Sequence, residues 1–107
     1  MHTDSEVLIQ SKEQLEQLIT ENEQVILYFS SENCTVCHAV YPKLLKLIEN
    51  QPIKVGEIII DDLIEVSGQF LVFSVPTILI MHEGREILRE SRFIDFNKIS
   101  RILQLQD

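Results

Sequence analysis

Hydrophobic and polar residues alternate along the chain in a pattern that predicts strands and helices in turn. Short apolar runs rich in β-branched residues predict strands, and apolar residues that recur every three or four positions predict helices. The predicted strands are residues 6–10, 25–30, 54–61, 77–81 and 86–90, and the predicted helices are residues 11–21, 34–50, 63–70 and a last helix after residue 95. This order is typical of a mixed sheet with helices on both faces. We therefore expect an α/β fold with about five strands and about four helices.

Residues with special backbone roles support these boundaries. Ser11 is a good N-cap for the first helix, with Gln14 three positions later as its capping-box partner. Asp95 is expected to cap the last helix. Gly84 lies in a predicted hairpin turn, where it can adopt positive φ. Pro42 falls inside the second predicted helix and is expected to kink or divide it.

Length and charge narrow the class of protein. A chain of 107 residues, 45% of them apolar, is expected to form one domain over residues 1–107. Nine basic against seventeen acidic residues give 9 − 17 = −8, so neither nucleic acid nor an anionic membrane is an expected partner. No apolar run approaches the roughly 18 residues of a membrane span. The acidic, polar start does not resemble a secretory signal, which predicts a cytoplasmic protein.

The only two cysteines, Cys34 and Cys37, stand at the predicted start of the second helix, directly after a buried strand. Free N–H groups and the helix dipole favour a thiolate at such a helix start, which lowers the pKa of Cys34. A thiolate is the species that attacks disulfides. Cys37 lies one turn further on and is expected to be more buried. We therefore interpret Cys34 as the nucleophile and Cys37 as the thiol that resolves a mixed disulfide.

Together with these cysteines, four features resemble the thioredoxin family over essentially the whole chain. They are the segment V-I-L-Y-F-S-S-E-N-C-T-V-C, Pro42 in the following helix, the tripeptide Val75-Pro76-Thr77 and Gly84 in the hairpin. The resemblance implies a thioredoxin fold and a thiol–disulfide oxidoreductase. It also implies a cis Val75–Pro76 bond and a substrate surface formed by Val75, Pro76 and the loop residue Phe93.

The same resemblance sets the expected cofactors and partners. The redox group would be the Cys34–Cys37 disulfide itself, with no other cofactor and no metal. The substrates would be disulfides in proteins or small thiols, and a cellular thiol reductant would restore the pair. We expect the protein to act as a monomer, without nucleic acid or membrane.

Several positions depart from the family's pattern. Thr35-Val36 replaces the usual Gly-Pro between the cysteines, and Asn33 replaces the usual Trp before them. Tyr28 occupies the place of the family's buried Asp, which assists deprotonation of the second cysteine, and Glu57 occupies the place of a Lys. General protein-disulfide reduction is therefore less firmly implied than thiol–disulfide chemistry.

Glu57 lies inside an otherwise apolar strand, and this position suggests a role in proton transfer. Burial of a carboxylate raises its pKa. Tyr28 cannot serve as the missing base, because its reference pKa is about 10. A raised Glu57 would instead take the proton from Cys37 during resolution. The alternative is that Glu57 is solvated near the end of the sheet and has no role.

Three other interpretations of the cysteine pair stay open at this stage. Cys34-Thr35-Val36-Cys37-His38 is also the C-x-x-C-H pattern of covalent haem attachment. The same cysteines with His38 offer three ligands to a metal, although tetrahedral zinc requires a fourth. Finally, the fold could serve as a redox-inert interaction module.

Overall fold

The computed structural model describes residues 5–106, with side chains to residue 104; the predicted span of 1–107 and its polar start extend beyond these residues. The described residues form five strands and four helices. The strands are β1 (Glu6–Leu8), β2 (Gln24–Ser30), β3 (Lys54–Ile59), β4 (Thr77–His82) and β5 (Arg85–Ser91), and the helices are α1 (Lys12–Glu21), α2 (Thr35–Leu47), α3 (Ile64–Gln69) and α4 (Phe96–Gln106). The predicted mixed α/β architecture is confirmed.

The five strands form one sheet in the order β1-β3-β2-β4-β5. The pairs β1–β3 and β2–β3 are parallel, whereas β2–β4 and β4–β5 are antiparallel. Strand β2 is therefore central, and all but its first residue are buried. This explains why its sequence is almost entirely apolar, since a central strand packs on both faces.

Side chains from the two faces of the sheet form two separate cores. One core faces α1 and α3 and includes Leu15, Leu27 and Val66. The other faces α2 and α4 and includes Leu44 and Ile99. Because successive residues of a strand point to opposite faces, the three inner strands β3, β2 and β4 contribute to both cores.

Local sequence signals fix the ends of several elements. The Ser11 hydroxyl accepts a hydrogen bond of 3.1 Å from the Gln14 N–H, as expected for an N-cap. Gln14 Oε1, however, accepts a hydrogen bond of 2.6 Å from the N–H of Gln10 rather than from that of Ser11. Asp95 Oδ1 accepts from the backbone of Asn97 and Lys98 and so caps α4.

The β4–β5 hairpin turns through Glu83 and Gly84, with φ of 51° and 80°. Two central residues with positive φ match the twist of the flanking strands, which confirms the predicted turn. Strand β5 lies at one edge of the sheet and carries four charged residues, Arg85, Glu86, Arg89 and Glu90. At the other edge, β1 is only three residues long.

Helix α2 differs from its prediction in two ways. It ends at Leu47 rather than near residue 50, and it continues through Pro42 as a single helix. Proline has no N–H, so the carbonyl four residues earlier, that of His38, loses its helical donor. Both Pro42 and His38 are exposed, so water can satisfy this carbonyl. Of the two expected effects of Pro42, a kink or a division, the division does not occur.

Candidate active site

The loop between β2 and α2 presents the cysteine pair at the end of the central strand. Cys34 is the N-cap residue of α2, and its Sγ accepts a hydrogen bond of 3.0 Å from the Cys37 N–H. The Cys34 N–H itself donates to the Ser31 carbonyl at 3.2 Å. The two cysteines are joined as a disulfide, with their Cα atoms 5.2 Å apart.

The two sulfur-bearing residues differ in their access to solvent. Cys37 is only 1% exposed, whereas Cys34 is partly exposed at the mouth of the helix. In the reduced state, the hydrogen bond from the Cys37 N–H to Cys34 Sγ would stabilise the Cys34 thiolate. An accessible, stabilised thiolate and a buried second thiol suit attack and resolution, respectively.

Tyr28 lies directly beneath the first turn of α2. Its side chain is 1% exposed, and its hydroxyl donates a hydrogen bond of 2.5 Å to the backbone carbonyl of Cys37. The Tyr28 ring stacks on Tyr41, with ring centroids 4.8 Å apart, and the Tyr41 hydroxyl donates to Glu6 at 3.2 Å. The sequence indicates that Tyr28 is unusual but does not predict its hydrogen bond to Cys37, because a backbone acceptor leaves no signal in the sequence.

Glu57 occupies the strand position beside Tyr28 in the parallel β2–β3 register. Its side chain is partly buried. Burial raises the pKa of the Glu57 carboxyl, the charge of Glu6 raises it further, and His38 lowers it. Burial together with the Glu57 charge raises the pKa of the Tyr28 hydroxyl, so this phenol stays protonated at neutral pH. The structure thus has a half-buried acid below the cysteine-bearing turn.

The Val75–Pro76 peptide bond immediately before β4 is cis. The Arg92 N–H donates to the Pro76 carbonyl at 2.8 Å, which ties the loop after β5 to this proline. Phe93, the next residue of that loop, is 87% exposed. Val36, in the first turn of α2 between the cysteines, and Phe73, two residues before Val75, are also strongly exposed apolar side chains. An apolar surface therefore accompanies the disulfide.

Two backbone positions near the site were not anticipated. Leu71 and Arg92 have φ of 57° and 66°, a region that side chains other than glycine rarely adopt. The Arg89 guanidinium donates hydrogen bonds to the carbonyls of Phe70 and Leu71 and so stabilises the backbone conformation of Leu71. Neither position carries the Gly or Asn that would have signalled positive φ in the sequence.

The only acid–histidine cluster with metal-ligand spacing among the described residues is Glu23, His82 and Glu83. It lies at the start of β2 and the β4–β5 turn, which is the end of the sheet opposite the cysteines. Cys34, Cys37 and His38 do not form such a cluster within this part of the chain. None of the helices described is long and apolar enough to cross a bilayer.

The fold and the site together define a thioredoxin-fold protein with a CxxC pair at the start of its second helix. The thioredoxin family model matches residues 6–104. The chain is 42% identical over 91 residues to the thioredoxin-like protein YdfQ of Bacillus subtilis, covering 84% of this chain and 81% of that protein. It is 29% identical over 98 residues to a thioredoxin of Mycoplasma pneumoniae, covering 91% and 93% of the two chains.

The solved structures agree on the fold. A mutant thioredoxin from Halobacterium salinarum superposes with a TM-score of 0.86 at 19% identity, covering 98% of this chain and 93% of that one. The chain therefore belongs to the thioredoxin family, as the sequence resemblance implied. Family membership and the CxxC pair together support thiol–disulfide oxidoreductase chemistry in general.

Proposed function

We propose that this protein reduces disulfide bonds in proteins or in small thiol compounds, in the cytoplasm. The observation that carries the proposal is the unequal exposure of the two cysteines across the first turn of α2. Cys34 is accessible and caps the helix, whereas Cys37 is 1% exposed. In a pair with this arrangement, the exposed sulfur attacks the substrate and the buried sulfur then resolves the mixed disulfide.

The reaction begins with the reduced pair. The Cys34 thiolate attacks one sulfur of the substrate disulfide, forms a mixed disulfide and expels the other substrate sulfur as a thiolate. Cys37 then loses its proton and attacks Cys34 Sγ, which releases the second substrate thiolate. The substrate gains two electrons and two protons, and the protein is left with the Cys34–Cys37 disulfide. A cellular thiol reductant returns the two electrons.

Resolution requires an acceptor for the proton of buried Cys37, and we assign this role to Glu57. Glu57 adjoins Tyr28, whose hydroxyl reaches the Cys37 backbone, and it interacts electrostatically with His38, the residue after Cys37. A carboxyl with a raised pKa holds a transferred proton better than an ordinary glutamate. Because the side chain is only partly buried, it can return the proton to water.

Tyr28 acts in this proposal as a positioning residue. Its hydroxyl is already committed as a donor to the Cys37 carbonyl, and its raised pKa excludes it as a base. The bond fixes the first turn of α2 relative to the central strand. It therefore keeps Cys37 directed toward Cys34 through the catalytic cycle.

The remaining assignments concern the substrate. Val75 and Pro76 would receive the backbone of the segment that carries the disulfide, and exposed Phe93 would contact its apolar side chains. The cysteine pair carries both electrons, so no further cofactor and no metal takes part. One chain supplies all these residues, so we propose that the monomer is the active form.

The test is turnover of two disulfides, insulin and bis(2-hydroxyethyl) disulfide, with dithiothreitol as the reductant. We expect both to be reduced faster than by dithiothreitol alone, and we expect Cys34→Ser to abolish the acceleration. Equilibration in a dithiothreitol redox buffer would give the reduction potential of the pair and hence its preferred direction.

The same preparation separates the proposal from its alternatives. No acceleration with an accessible, reducible pair would contradict it and favour the redox-inert module. Stoichiometric zinc in protein purified without chelator would favour the metal-binding module. A haem Soret band would favour covalent haem attachment.

A further inference from the structure

An open cleft of about 710 Å³ lies between α2 and the loop that joins β5 to α4. Its walls include Val40 and Lys43 from α2, and Arg92, Phe93 and Asp95 from the loop. We refer to it as the Arg92 cleft. No role in the reaction described above uses its charged side chains.

The Arg92 cleft begins at Val40, about one helical turn beyond Cys37. Val40 follows Cys37 by three residues, so it lies on the same side of α2, about 4.5 Å further along the helix axis. On the opposite wall, the Arg92 N–H is bonded to the carbonyl of Pro76 at 2.8 Å. A small substrate whose sulfur meets Cys34 can therefore extend one arm into the cleft.

The charges lining the cleft differ in sign from those of the chain as a whole. The net charge of the protein is −8. Yet the side chains of Lys43 and Arg92 form no ion pair within residues 5–104. Asp95, the acid on the wall, directs Oδ1 to the N–H groups of Asn97 and Lys98. The cleft thus offers two uncommitted cations, which suit a carboxylate.

The backbone of Arg92 gives a second, independent observation. Its φ of 66° lies in the left-handed region, where glycine is free of strain and arginine is not. Arginine is nevertheless the residue at this position, directly on the cleft. Phe93 beside it is 87% exposed, so an exposed aromatic ring adjoins the two cations. Strained backbone of this kind is found at ligand-binding positions.

We propose that the Arg92 cleft recognises the carboxylate of a small anionic disulfide, so that such compounds are the preferred substrates of the cysteine pair. This inference rests on the proposed reductase function. At about 710 Å³, the open cleft has room for one arm of a small compound. The chemical step is unchanged: the arm in the cleft stays on Cys34 as the mixed disulfide until Cys37 releases it as a carboxylate-bearing thiol.

The experiment compares three disulfides with short, similar skeletons and different charge. They are 3,3′-dithiodipropionate with two carboxylates, neutral bis(2-hydroxyethyl) disulfide, and cystamine with two ammonium groups. Each kcat/KM is divided by the rate constant of the same disulfide with dithiothreitol alone, because leaving-group pKa also affects exchange. We expect the normalised value for the dianion to exceed that for the neutral compound about tenfold or more. Added salt should reduce this preference.

Variants test whether the preference arises in the cleft. Arg92→Gln and Lys43→Gln should each lower the dianion-to-neutral ratio about threefold, and Arg92→Lys should retain part of it. Lys46→Gln removes the same charge from the same helix, but outside the cleft, and should leave the ratio unchanged.

The outcomes separate this inference from the proposed function. A normalised ratio near one in the wild-type protein would overturn the inference while leaving the reductase function intact. An equal loss in Lys46→Gln and Lys43→Gln would also overturn it, since the effect would then come from overall charge. Failure to reduce any of the three disulfides would contradict the proposed function itself.

Discussion

The two faces of the central sheet are built from the same strands but differ in chemistry. On the face toward α1 and α3, the side chains that β2 contributes to the core are all apolar: Val25, Leu27 and Phe29. On the face toward α2 and α4, the core is apolar at Ile26 but contains Tyr28 beneath the cysteines. Along β2, the polar side chains therefore lie on the face toward α2 and α4, and Tyr28 lies at the end near the cysteines.

This difference shows that the protein carries groups that can lower its stability on the face toward α2 and α4, near the cysteines. A buried polar group lowers stability unless it is bonded, and a partly buried carboxylate is disfavoured as the anion. Glu57 is such a carboxylate, whereas the buried Tyr28 hydroxyl beside it is hydrogen-bonded to the turn that bears Cys37. We infer that the apolar face serves mainly stability and that the polar end of the other face serves the thiol chemistry.

The largest expected effects come from the cysteines themselves. Cys34→Ser should lower disulfide turnover by about a thousandfold or more, because the nucleophile is lost. Cys37→Ser should instead accumulate a mixed disulfide at Cys34, which mass spectrometry of the unreduced protein would detect. Trapping by Cys34→Ser rather than by Cys37→Ser would reverse the assigned roles.

A substitution on the apolar face should affect stability and leave the chemistry alone. Leu27 is 0% exposed in the core toward α1 and α3. Leu27→Ala should lower the free energy of unfolding by about 2–5 kcal/mol, measured by urea titration. Its kcat/KM per folded molecule should stay within about twofold of the wild type. A tenfold loss in folded protein would show that the two faces are not functionally separate.

Glu57→Gln tests the polar end of the other face. Resolution of a preformed Cys34 mixed disulfide should slow about tenfold near neutral pH, as followed by stopped flow, because the proton acceptor is lost. Glu65→Gln, an exposed change on α3, is the matched control and should have no effect. Equal resolution rates in the wild type and Glu57→Gln from pH 6 to 9 would leave water as the acceptor.

The pH dependence provides a check with a definite sign. The pKa of Glu57 is raised in the folded protein, so the wild-type advantage in resolution should shrink as pH falls through that raised pKa. For stability, the ionised carboxylate disfavours the folded state above its folded pKa, and this effect disappears as pH falls below the unfolded value of about 4.3. Glu57→Gln should therefore raise the unfolding temperature at pH 8, with little gain near pH 4.

Tyr28→Phe is expected to slow resolution less than Glu57→Gln does. It removes one hydroxyl and leaves the Cys37 carbonyl without that donor, which should lower stability by about 1 kcal/mol. Resolution should slow about threefold, while the first attack by Cys34 stays nearly constant. Tyr41→Phe removes a neighbouring hydroxyl that bonds to Glu6 and not to the cysteines. If both variants slowed resolution equally, the Tyr28 bond would have no specific positioning role.

The order of elements was predictable because the strands and helices carry strong local patterns. The N-caps Ser11 and Asp95 have side chains suited to the role, and Gly84 marks the hairpin. Whether Pro42 would divide its helix was not predictable, since its exposed position allows the helix to continue. Tolerance of a helical proline depends on solvent access, which the local sequence does not report.

The cysteine pair was predictable from spacing and context, but its surroundings were only partly so. The unusual positions of Tyr28 and Glu57 could be identified by resemblance. Their relation to Cys37 depends on the β2–β3 register and on a backbone acceptor, both of which are tertiary features. The left-handed conformation of Arg92 was likewise hidden, because tertiary contacts impose it on a residue that does not prefer it.

The edges of the sheet bear on how the protein behaves at high concentration. Unpaired strand edges are templates for aggregation between molecules. Here one edge is a strand of three residues, and the other carries four charges, two of which, Arg89 and Glu86, form an ion pair at 2.8 Å. Short or charged edge strands disfavour the addition of a strand from a second chain. The sheet is thus protected from polymerising, even though apolar side chains stand exposed around the disulfide.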